Sequence, residues 1–358
     1  MLLRHLSKIT RTSNYDFFDR SRYLRLDRNE RSYPFSRKIL SIIKSSISNN
    51  VLQSYPGTKI KLEELISKKE KINKRYINVI PGSDGAIKYI FEIFSAGNKT
   101  LSSIYPTYGM IDIYSKVYQY NLRKVVVKNP KDLNIEKFFS KKTCFIYIAN
   151  PNQPSGFYIN KKIISKILQK ALKKNIYVII DEAYIDFCDF ASISFLIKRF
   201  KNLIVLKTFS KSPGIAGLRI GYMLANPIIN KAFNAVRPTF DVSYFSMKIA
   251  EFFINNNKIK NQFIKTVKKS KKFVIKQCIK RKLEFQNTQT NFIIIKFPKN
   301  KIRKIHKHMF KNKILVRSNY IGHYKNFGSS IRITIGDKKQ MINFFTYLDK
   351  IYKVEWKK

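Results

Sequence analysis

Cysteine is scarce in this sequence, which has three cysteines in 358 residues. Their positions share no metal-ligand spacing, so we expect no disulfide scaffold, no zinc site and a reducing cytoplasm as the location; the three are Cys144, Cys188 and Cys278. Long hydrophobic runs are also missing, because no stretch reaches the roughly 18 apolar residues that a membrane helix needs. The opening residues MLLRHLSKIT lack the apolar core of a secretory signal. We therefore expect no association with membranes.

Acidic residues are few, with 22 Asp and Glu against 71 Lys and Arg, and the formal net charge is +49. A field of that size attracts nucleic acids and anionic membranes. The lysines are scattered, however, and Ile, Asn, Phe and Tyr, whose codons are also rich in A and T, are abundant beside them. We favour a genome composition bias and expect no specific nucleic-acid partner. The densest basic stretch, 258–282, predicts one amphipathic surface helix.

The chemistry of the sequence centres on Lys211, in the stretch TFSKSPGIAGLRIG at 208–221. The lysine follows a strand-like apolar run and lies among Thr208, Ser210 and Arg219. Hydroxyls and a guanidinium are donors that suit a phosphate dianion. Pyridoxal phosphate needs a lysine for its Schiff base and a cradle for its phosphate, and this segment offers both. The alternative is one more solvated lysine in a lysine-rich chain.

A second strand signal, 177–180, runs directly into Asp181, and Tyr184 follows three residues later. Acidic residues at the end of a buried parallel strand lie in the crevice where open α/β sheets bind ligands. An aspartate there would keep a pyridinium nitrogen protonated, and a tyrosine could donate to the 3′-oxygen of the ring. The alternative is a solvated acidic turn, which the Lys211 segment downstream makes the weaker interpretation.

A glycine-containing turn at 81–85 follows a short strand signal at 77–80 and precedes a helical pattern. Such a turn presents backbone N–H groups and the positive end of the helix dipole, which bind anions. We therefore expect the cofactor phosphate at Gly82, Ser83 and Asp84.

The order of predicted elements indicates an α/β fold with a mainly parallel sheet between layers of helices. One strand, helix and strand repeat carries this rhythm, at 144–148, 161–174 and 177–180. The pattern changes after residue 221, where a long helical region precedes strands of a smaller α+β lobe, at 246–282, 292–297 and 331–335.

The segments DEAYIDF at 181–187 and TFSKSPGIAGLRIGY at 208–222 resemble the two signature segments of the histidinol-phosphate aminotransferase family. Further matches occur in the same order as in the family, namely SYPG at 54–57, GSDGAI at 82–87, YPTYGM at 105–110, NPNQPSG at 150–156, ILVR at 314–317 and RITIG at 332–336. The resemblance implies a fold-type I pyridoxal-phosphate transferase. It implies a large cofactor-binding domain over 45–240, with an N-terminal arm and a small α+β domain formed by 1–44 and 241–358.

The resemblance also implies roles for individual residues. Lys211 would form the Schiff base, with Asp181 at the pyridinium nitrogen and Tyr184 at the 3′-oxygen. The other positions implied to bind the cofactor are Gly82, Ser83, Asp84, Tyr108, Asn152, Gln153, Thr208, Ser210, Arg219 and, from the neighbouring subunit of a homodimer, Tyr55. The family has asparagine where Gln153 stands, so either the backbone adjusts or Asn152 takes part.

Arg332, Arg317 and Asn29 lie where the family binds its substrate, and Arg31 replaces an asparagine of the family. Two substrate-binding arginines indicate two anionic ends, so we expect glutamate as amino donor and a 2-oxo acid or phosphorylated keto compound as acceptor. The alternatives are a decarboxylase resembling threonine-phosphate decarboxylase and an aminotransferase of a sugar or phosphonate pathway. A nucleic-acid-binding module would explain the charge but would leave the lysine, aspartate and tyrosine set unexplained.

Overall fold

The computed structural model describes residues 4–9, 19–94, 100–127, 129–130, 133–318 and 329–352, so the predicted N-terminal arm lies partly outside the described residues. The strands are β1 (Leu24–Leu26), β2 (Ile77–Ile80), β3 (Thr100–Tyr105), β4 (Asn121–Val126), β5 (Thr143–Ala149), β6 (Tyr177–Asp181), β7 (Leu203–Thr208), β8 (Gly221–Ala225), β9 (Phe285–Gln286), β10 (Phe292–Lys296), β11 (Ile314–Ser318) and β12 (Ser330–Thr334). The helices are α1 (Arg4–Ser7), α2 (Arg37–Ser45), α3 (Asn49–Gln53), α4 (Ile60–Glu70), α5 (Gly82–Ile93), α6 (Met110–Val117), α7 (Lys161–Lys173), α8 (Pro227–Val236), α9 (Tyr244–Asn255), α10 (Asn257–Lys280), α11 (Lys299–Lys311) and α12 (Lys338–Tyr352).

The chain divides into two compact units. Unit 1 consists of Met1–Thr10 and Phe35–Lys260, and unit 2 of Arg11–Pro34 and Asn261–Lys358. These bounds differ from those of the predicted domains, since α9 packs its buried Phe253 into the core of unit 1. The assignment of cofactor binding to 45–240 stays a prediction.

Unit 1 is built on a seven-stranded sheet in the order β2-β8-β7-β6-β5-β3-β4. The pairs from β7 to β4 are parallel, whereas β8 is antiparallel to both β7 and β2. Because β2 and β7 are each antiparallel to β8, they run in the same direction. The carboxyl ends of β2, β3, β5, β6 and β7 therefore lie along one edge of the sheet.

Each face of this sheet is covered by its own apolar core. Alternate residues of β5 and β6 divide between the two faces, as the period of a strand requires. Tyr147 and Ile179 belong to the core that includes residues of α5 and α8. Ile148 and Ile180 belong to the core that includes residues of α4, α7 and α9. Strands buried on both faces explain the near-continuous apolar runs of the sequence.

Unit 2 contains a five-stranded sheet in the order β1-β11-β12-β10-β9. The β1 and β11 pair is parallel and the other pairs are antiparallel. Every residue of β12 is buried, and Ile305 and Met309 of α11 are buried as well. This sheet and its helices correspond to the smaller α+β lobe that the sequence predicts after residue 221.

The predicted helical region 246–282 corresponds to two helices, α9 and α10. Asn256 separates α9 from α10, and its side chain donates to the carbonyl of Phe252 at 2.9 Å. A side-chain amide that bonds to nearby backbone competes with helix continuation. The predicted amphipathic helix corresponds to the 24-residue α10, in which Phe263, Val267 and Val274 are buried. None of the described helices is both long and apolar enough to cross a bilayer.

Candidate active site

Apart from Tyr55, the predicted cofactor-binding residues of unit 1 lie along one edge of the seven-stranded sheet, where five strands end and β8 begins. Asp181 is the last residue of β6, and Lys211 comes three residues after the end of β7. Asp181 pairs in register with Ala149 of β5 on one side and with Leu206 of β7 on the other. The segments that follow β2, β3 and β5 complete the edge and carry Gly82, Tyr108, Asn152 and Gln153.

Gly221 allows two of these strand ends to approach closely. It pairs with Ile80 of β2 and with Thr208 of β7. A Cβ atom at Gly221 would lie 2.4 Å from the Lys207 carbonyl oxygen and 3.4 Å from the Gly82 Cα. A larger residue at this position would therefore push the β2 and β7 ends apart.

The first turn of α5 lies against the Arg219 guanidinium. Gly82 has φ +74°, and a Cβ atom there would lie 3.1 Å from Arg219 Nη2. Arg219 Nη1 donates to Ser210 Oγ at 3.3 Å, and the Ser210 N–H donates to Thr208 Oγ1 at 3.1 Å. The first N–H groups of a helix lack partners within the helix and carry the positive end of its dipole. The arrangement is a donor set suited to a phosphate dianion.

The Asp84 carboxylate, which would repel an anion, is engaged by two phenols. The Tyr108 and Tyr114 hydroxyls donate to Asp84 Oδ1 at 3.3 and 3.4 Å. Burial and the charge of Asp84 raise the pKa of Tyr108 well above its ordinary value, so the phenol stays protonated. The backbone N–H of Asp84, in the first turn of α5, is the group that suits an anion.

Asp181 is a buried carboxyl group, with 6% of its surface exposed. It accepts hydrogen bonds from the Tyr147 hydroxyl at 2.8 Å and from the Ala183 N–H at 3.0 Å. Burial raises the pKa of Asp181 to about 6, against the opposing effects of these hydrogen bonds and of the Lys211 charge. A carboxylate in this position is stabilised by a cation placed beside it.

Tyr147 is a part of the site that the sequence argument missed. Its ring is fully buried, and its hydroxyl is the side-chain donor to Asp181. The signal was available, since Tyr147 lies two residues before Ala149, which pairs with Asp181. Residues two apart share a face of a strand.

Lys211 and Tyr184 lie near one another and near Asp181. Lys211 Nζ is 5.7 Å from the centre of the Tyr184 ring, which is buried. The positive charge of Lys211 lowers the pKa of Asp181 against the larger effect of burial. An amine, a phenol and a buried carboxyl thus meet where the sequence predicts them.

The Asn152 amide has its hydrogen-bonding groups engaged within the chain. Its Nδ2 donates to the Pro106 carbonyl at 3.0 Å and to Ser155 Oγ at 2.6 Å, and its Oδ1 accepts from Thr107 Oγ1 at 3.3 Å. The neighbouring Gln153 is also buried. Asn152 therefore shapes the loop after β5, and the cofactor contact of Gln153 stays a prediction.

Tyr55 is not buried among the strand ends of its own chain. It is 78% exposed, and its ring stacks on Phe240 with 4.6 Å between centres. Phe240 is itself exposed. The role of Tyr55 at a neighbouring subunit therefore stays a prediction.

Unit 2 holds the two predicted substrate arginines directly opposite one another. Arg317 of β11 and Arg332 of β12 are register partners, so both side chains leave the same face of the sheet. Arg332 is buried, and its Nη2 donates to the Asp27 carbonyl at 2.7 Å. Like charges directly opposite across strands are destabilising, which an anion bound to both would relieve.

Asn29 is fixed beside the same strand. Its N–H donates to Thr334 Oγ1 at 3.0 Å, and the Asn291 side chain donates to its carbonyl at 3.1 Å. Its φ of 56° lies in the left-handed region, which asparagine adopts more readily than most residues. Thr334 and Arg332 are two residues apart on β12, so Asn29 reaches the face that carries the arginines.

Arg31 is packed between aromatic rings. Its guanidinium carbon lies 4.4 Å from the Tyr33 ring centre and 4.7 Å from that of Phe263, and its Nε donates to the Tyr33 carbonyl at 3.1 Å. These contacts account for Arg31 by packing, and they give it a different environment from that of Arg332.

The donors and acceptors of the sheet edge fit pyridoxal phosphate. The Arg219 guanidinium, the Ser210 hydroxyl and the α5 N-terminus suit its phosphate, and the buried Asp181 suits its ring nitrogen. Gly82 leaves space beside Arg219 that a Cβ atom would fill.

Comparison with known proteins agrees with this fit. The family "Aminotransferase class I and II" matches residues 22–348. The histidinol-phosphate aminotransferase of Caldanaerobacter subterraneus subsp. tengcongensis is 29% identical over 327 residues, which cover 90% of this chain and 91% of that protein.

Solved structures share the fold. A histidinol-phosphate aminotransferase from Sinorhizobium meliloti, solved in complex with pyridoxal-5′-phosphate, is similar with a TM-score of 0.85 at 18% identity, covering 98% of this chain and 97% of that one. L-threonine-O-3-phosphate decarboxylase from Porphyromonas gingivalis gives a TM-score of 0.80 at 19% identity, covering 92% and 99%. Together with the family match, these similarities confirm the predicted fold class, the aminotransferase class and the cofactor.

Proposed function

The chain belongs to the class I and II aminotransferases, and from that membership we propose that it moves an amino group from glutamate to a 2-oxo acid or phosphorylated keto acceptor. The proposal makes it a histidinol-phosphate aminotransferase-like enzyme. The observation that carries it is that Lys211, Asp181 and the Arg219 guanidinium, which donates to Ser210, all lie at one edge of the sheet.

The cofactor phosphate is assigned to the α5 N-terminus and the side chains next to it. Its ligands are the backbone N–H groups of Gly82, Ser83 and Asp84, the hydroxyls of Thr208 and Ser210, and the Arg219 guanidinium. Each of these groups is a donor, and together they offset a dianion. Tyr108 is assigned to one face of the ring, and the Gln153 amide and the Tyr184 hydroxyl to its 3′-oxygen.

Pyridoxal phosphate, when bound, supplies an electrophilic carbon and a conjugated ring that takes up negative charge. The Lys211 amine holds the cofactor and then moves a proton as general base and acid at Nζ. Asp181 holds a proton on the ring nitrogen through a charge-assisted hydrogen bond. The Tyr147 hydroxyl keeps the Asp181 carboxylate oriented for that bond.

The substrate is proposed to have two anionic ends. Arg332 takes a carboxylate through a bidentate contact, and Arg317 takes a carboxylate or phosphate. Asn29 orients the bound substrate beside Arg332. Glutamate satisfies both arginines as the donor, and a phosphorylated or dicarboxylic keto compound does so as the acceptor.

We propose a homodimer in which Tyr55 contacts the cofactor phosphate of the neighbouring subunit. Its exposure and its stacking on Phe240 support a role at a subunit contact. The test is to mix Tyr55→Ala with Lys211→Ala subunits. A shared site predicts that mixed dimers regain activity, because one of their two sites then has both residues. Mixed dimers without activity would contradict the sharing.

The substrate proposal is tested with a panel of amino donors and acceptors. We expect glutamate to yield 2-oxoglutarate with a phosphorylated keto acceptor, and we expect slow turnover of neutral monocarboxylic amino acids. Carbon dioxide release is measured in the same reactions with L-threonine O-3-phosphate. Carbon dioxide release without amino transfer would favour the decarboxylase alternative. Amino transfer to an amino sugar precursor or a phosphonate would favour an aminotransferase of a sugar or phosphonate pathway.

The location is proposed to be cytoplasmic, without a specific nucleic-acid partner. Any nucleic-acid binding should be independent of sequence and should weaken steeply as salt rises, as counterion release requires. Tight, sequence-dependent binding at physiological salt would overturn this proposal.

A further inference from the structure

A buried ion cluster lies behind the candidate cofactor site, on the other face of the seven-stranded sheet. Lys207 Nζ is 2.8 Å from Glu70 Oε2 and 3.6 Å from Glu182 Oε2. The Tyr222 hydroxyl donates to Glu70 Oε1 at 2.6 Å. Glu182, Lys207 and Tyr222 are buried, and the Glu70 side chain is 7% exposed. We call Glu70, Glu182, Lys207 and Tyr222 the rear ion cluster.

The rear ion cluster is joined to the cofactor edge by adjacent residues. Glu182 follows Asp181, and Lys207 precedes Thr208. Neighbouring residues of a strand point to opposite faces, so the two sets lie back to back. The Glu182 N–H donates to the Leu206 carbonyl at 2.9 Å, which extends the β6 and β7 ladder one residue beyond Asp181.

The two carboxylates also bind the segment after β6. Glu182 accepts from Ser192 Oγ at 2.5 Å and from the Ile193 N–H at 2.8 Å. Glu70, the last residue of α4, accepts from Ser194 Oγ at 3.0 Å. The rear ion cluster thereby ties α4, β6, β7 and β8 together at the edge where the cofactor residues begin.

The energetics of the rear ion cluster indicate positional control. Replacing a buried ion pair by apolar side chains is often neutral or stabilising, whereas removing one partner is strongly destabilising. Glu182 and Glu70 raise the pKa of Lys207 against the opposing effect of burial. At Glu70 burial acts to raise the pKa, but the charges of Lys207 and Lys69 outweigh it and lower the pKa to about 2. The contacts of Lys207 with Glu70 and Glu182 join β7 to α4 and to the end of β6.

We infer that Lys207, Glu70 and Glu182 are positioning residues for the reaction. They hold the β6 and β7 ends at a fixed spacing, so that Asp181 and the Thr208–Lys211 turn meet the cofactor together. The inference rests on the proposed roles of Asp181 and Lys211.

The experiment compares Lys207→Met with Arg281→Met in the full-length holoenzyme. Arg281 makes a two-pronged ion pair with Asp349 in unit 2, at 2.6 and 2.7 Å, and serves as a matched loss of an ion pair. The measurements are kcat/KM, the pyridoxal phosphate dissociation constant, the pH midpoint of the visible absorption band, and the unfolding temperature.

We expect Lys207→Met to lower kcat/KM roughly 100-fold, the size of effect that a displacement of about 1 Å produces. The cofactor dissociation constant should rise, and the pH midpoint of the absorption band should move. Lys207→Arg keeps the charge and should recover much of kcat/KM. Arg281→Met should lower the unfolding temperature and leave the other measurements unchanged.

A purely structural role is the outcome that would overturn the inference. It predicts that Lys207→Met loses stability like Arg281→Met while kcat/KM and the absorption band stay at wild-type values. If Lys207→Met does not fold, Glu70→Gln gives a milder form of the comparison, because it removes one of the two carboxylate charges that face Lys207 and keeps the side-chain volume. Borohydride labelling of the wild type is read separately, since a label away from Lys211 contradicts the proposed function and not the rear ion cluster.

Discussion

The two faces of the seven-stranded sheet carry charges at the same edge and balance them differently. On the rear face, Lys207 lies within ion-pair distance of two carboxylates. On the front face, which is the face that carries Asp181 and the candidate cofactor site, the Arg219 guanidinium donates to the Ser210 hydroxyl next to the positive end of α5. The rear face is neutralised by the chain itself, whereas the front face presents donors that suit an anionic ligand. The two faces differ in where the countercharges lie rather than in how many charges they carry. On the rear face the countercharges belong to the protein, and on the front face a bound anion would supply them.

The sharpest test of this comparison is Lys211→Ala. We expect transamination to be abolished, because Lys207 is held on the opposite face by Glu70 and cannot substitute. Transamination with glutamate is the measurement. In the wild type, borohydride reduction and peptide mapping should place the pyridoxyl label on Lys211, and a label on Lys207 would break the comparison.

The next largest effect is expected at Arg332. Arg332→Ala should cost on the order of 3–5 kcal/mol in kcat/KM with glutamate, since a substrate charge remains unpaired. Arg332→Lys keeps the charge without the bidentate geometry and should lose less. The measurement is the ratio of kcat/KM for glutamate to that for a neutral monocarboxylic amino acid. An unchanged ratio would show that Arg332 does not bind the second anionic end.

A smaller effect concerns the stability of the cofactor-depleted protein. Burial raises the pKa of Asp181 from 3.8 to about 6, so the folded state binds this proton more tightly than the unfolded state does. The stability from this group is complete below pH 3.8 and is lost as the pH rises through 6, a change of about 3 kcal/mol. Asp181→Asn should therefore be more stable than the wild type in urea unfolding at pH 8.

That difference between Asp181→Asn and the wild type should shrink below pH 4, where both side chains are neutral. A variant less stable than the wild type at pH 8 would mean that the front face balances the Asp181 charge without cofactor, as the rear face does for Glu70, whose pKa is lowered to about 2.

The smallest expected change is at Tyr147. Tyr147→Phe removes one hydrogen bond to the Asp181 carboxylate, worth about 1.5 kcal/mol, so the pKa of Asp181 should rise by about one unit. The acidic limb of the kcat/KM profile should move to higher pH by a similar amount. Tyr120→Phe is the matched control, because Tyr120 is a buried tyrosine of the same core cluster. Equal profiles for the two variants would remove Tyr147 from the site.

Local sequence signals predicted much of the front face. The apolar run 177–180 ends at an aspartate, and β6 ends at that aspartate. The glycine-containing segment 81–85 lies at the N-terminus of a helix as predicted, but α5 begins at Gly82, so residues 82–85 form its first turn rather than a separate turn before it. Contiguous motifs of this kind carry both the strand and the functional residue within a few positions.

The rear ion cluster could not be predicted in the same way. Glu70 and Lys207 are 137 positions apart, and no motif links them. Glu182 belongs to the signature segment at 181–187. The residues around it do not show which face of the sheet its side chain occupies, because that depends on the β6 and β7 register. The boundary at Asn256 was not predicted, because the sequence indicated only a helical region over 246–282 without its internal division.

The antiparallel insertion of β8 has a consequence for the order of folding. Among the described strands, β2 has β8 as its partner, and their residues are separated by about 140 positions along the chain. The β5, β6 and β7 ladder closes over much shorter loops, which cost less entropy. Gly82 and Arg219 are therefore brought together only when β8 enters between β2 and β7. A nascent chain that ends before residue 221 has the Asp181 strand and the lysine turn but lacks the completed phosphate cradle, so we expect cofactor capture to follow the closure of this long loop.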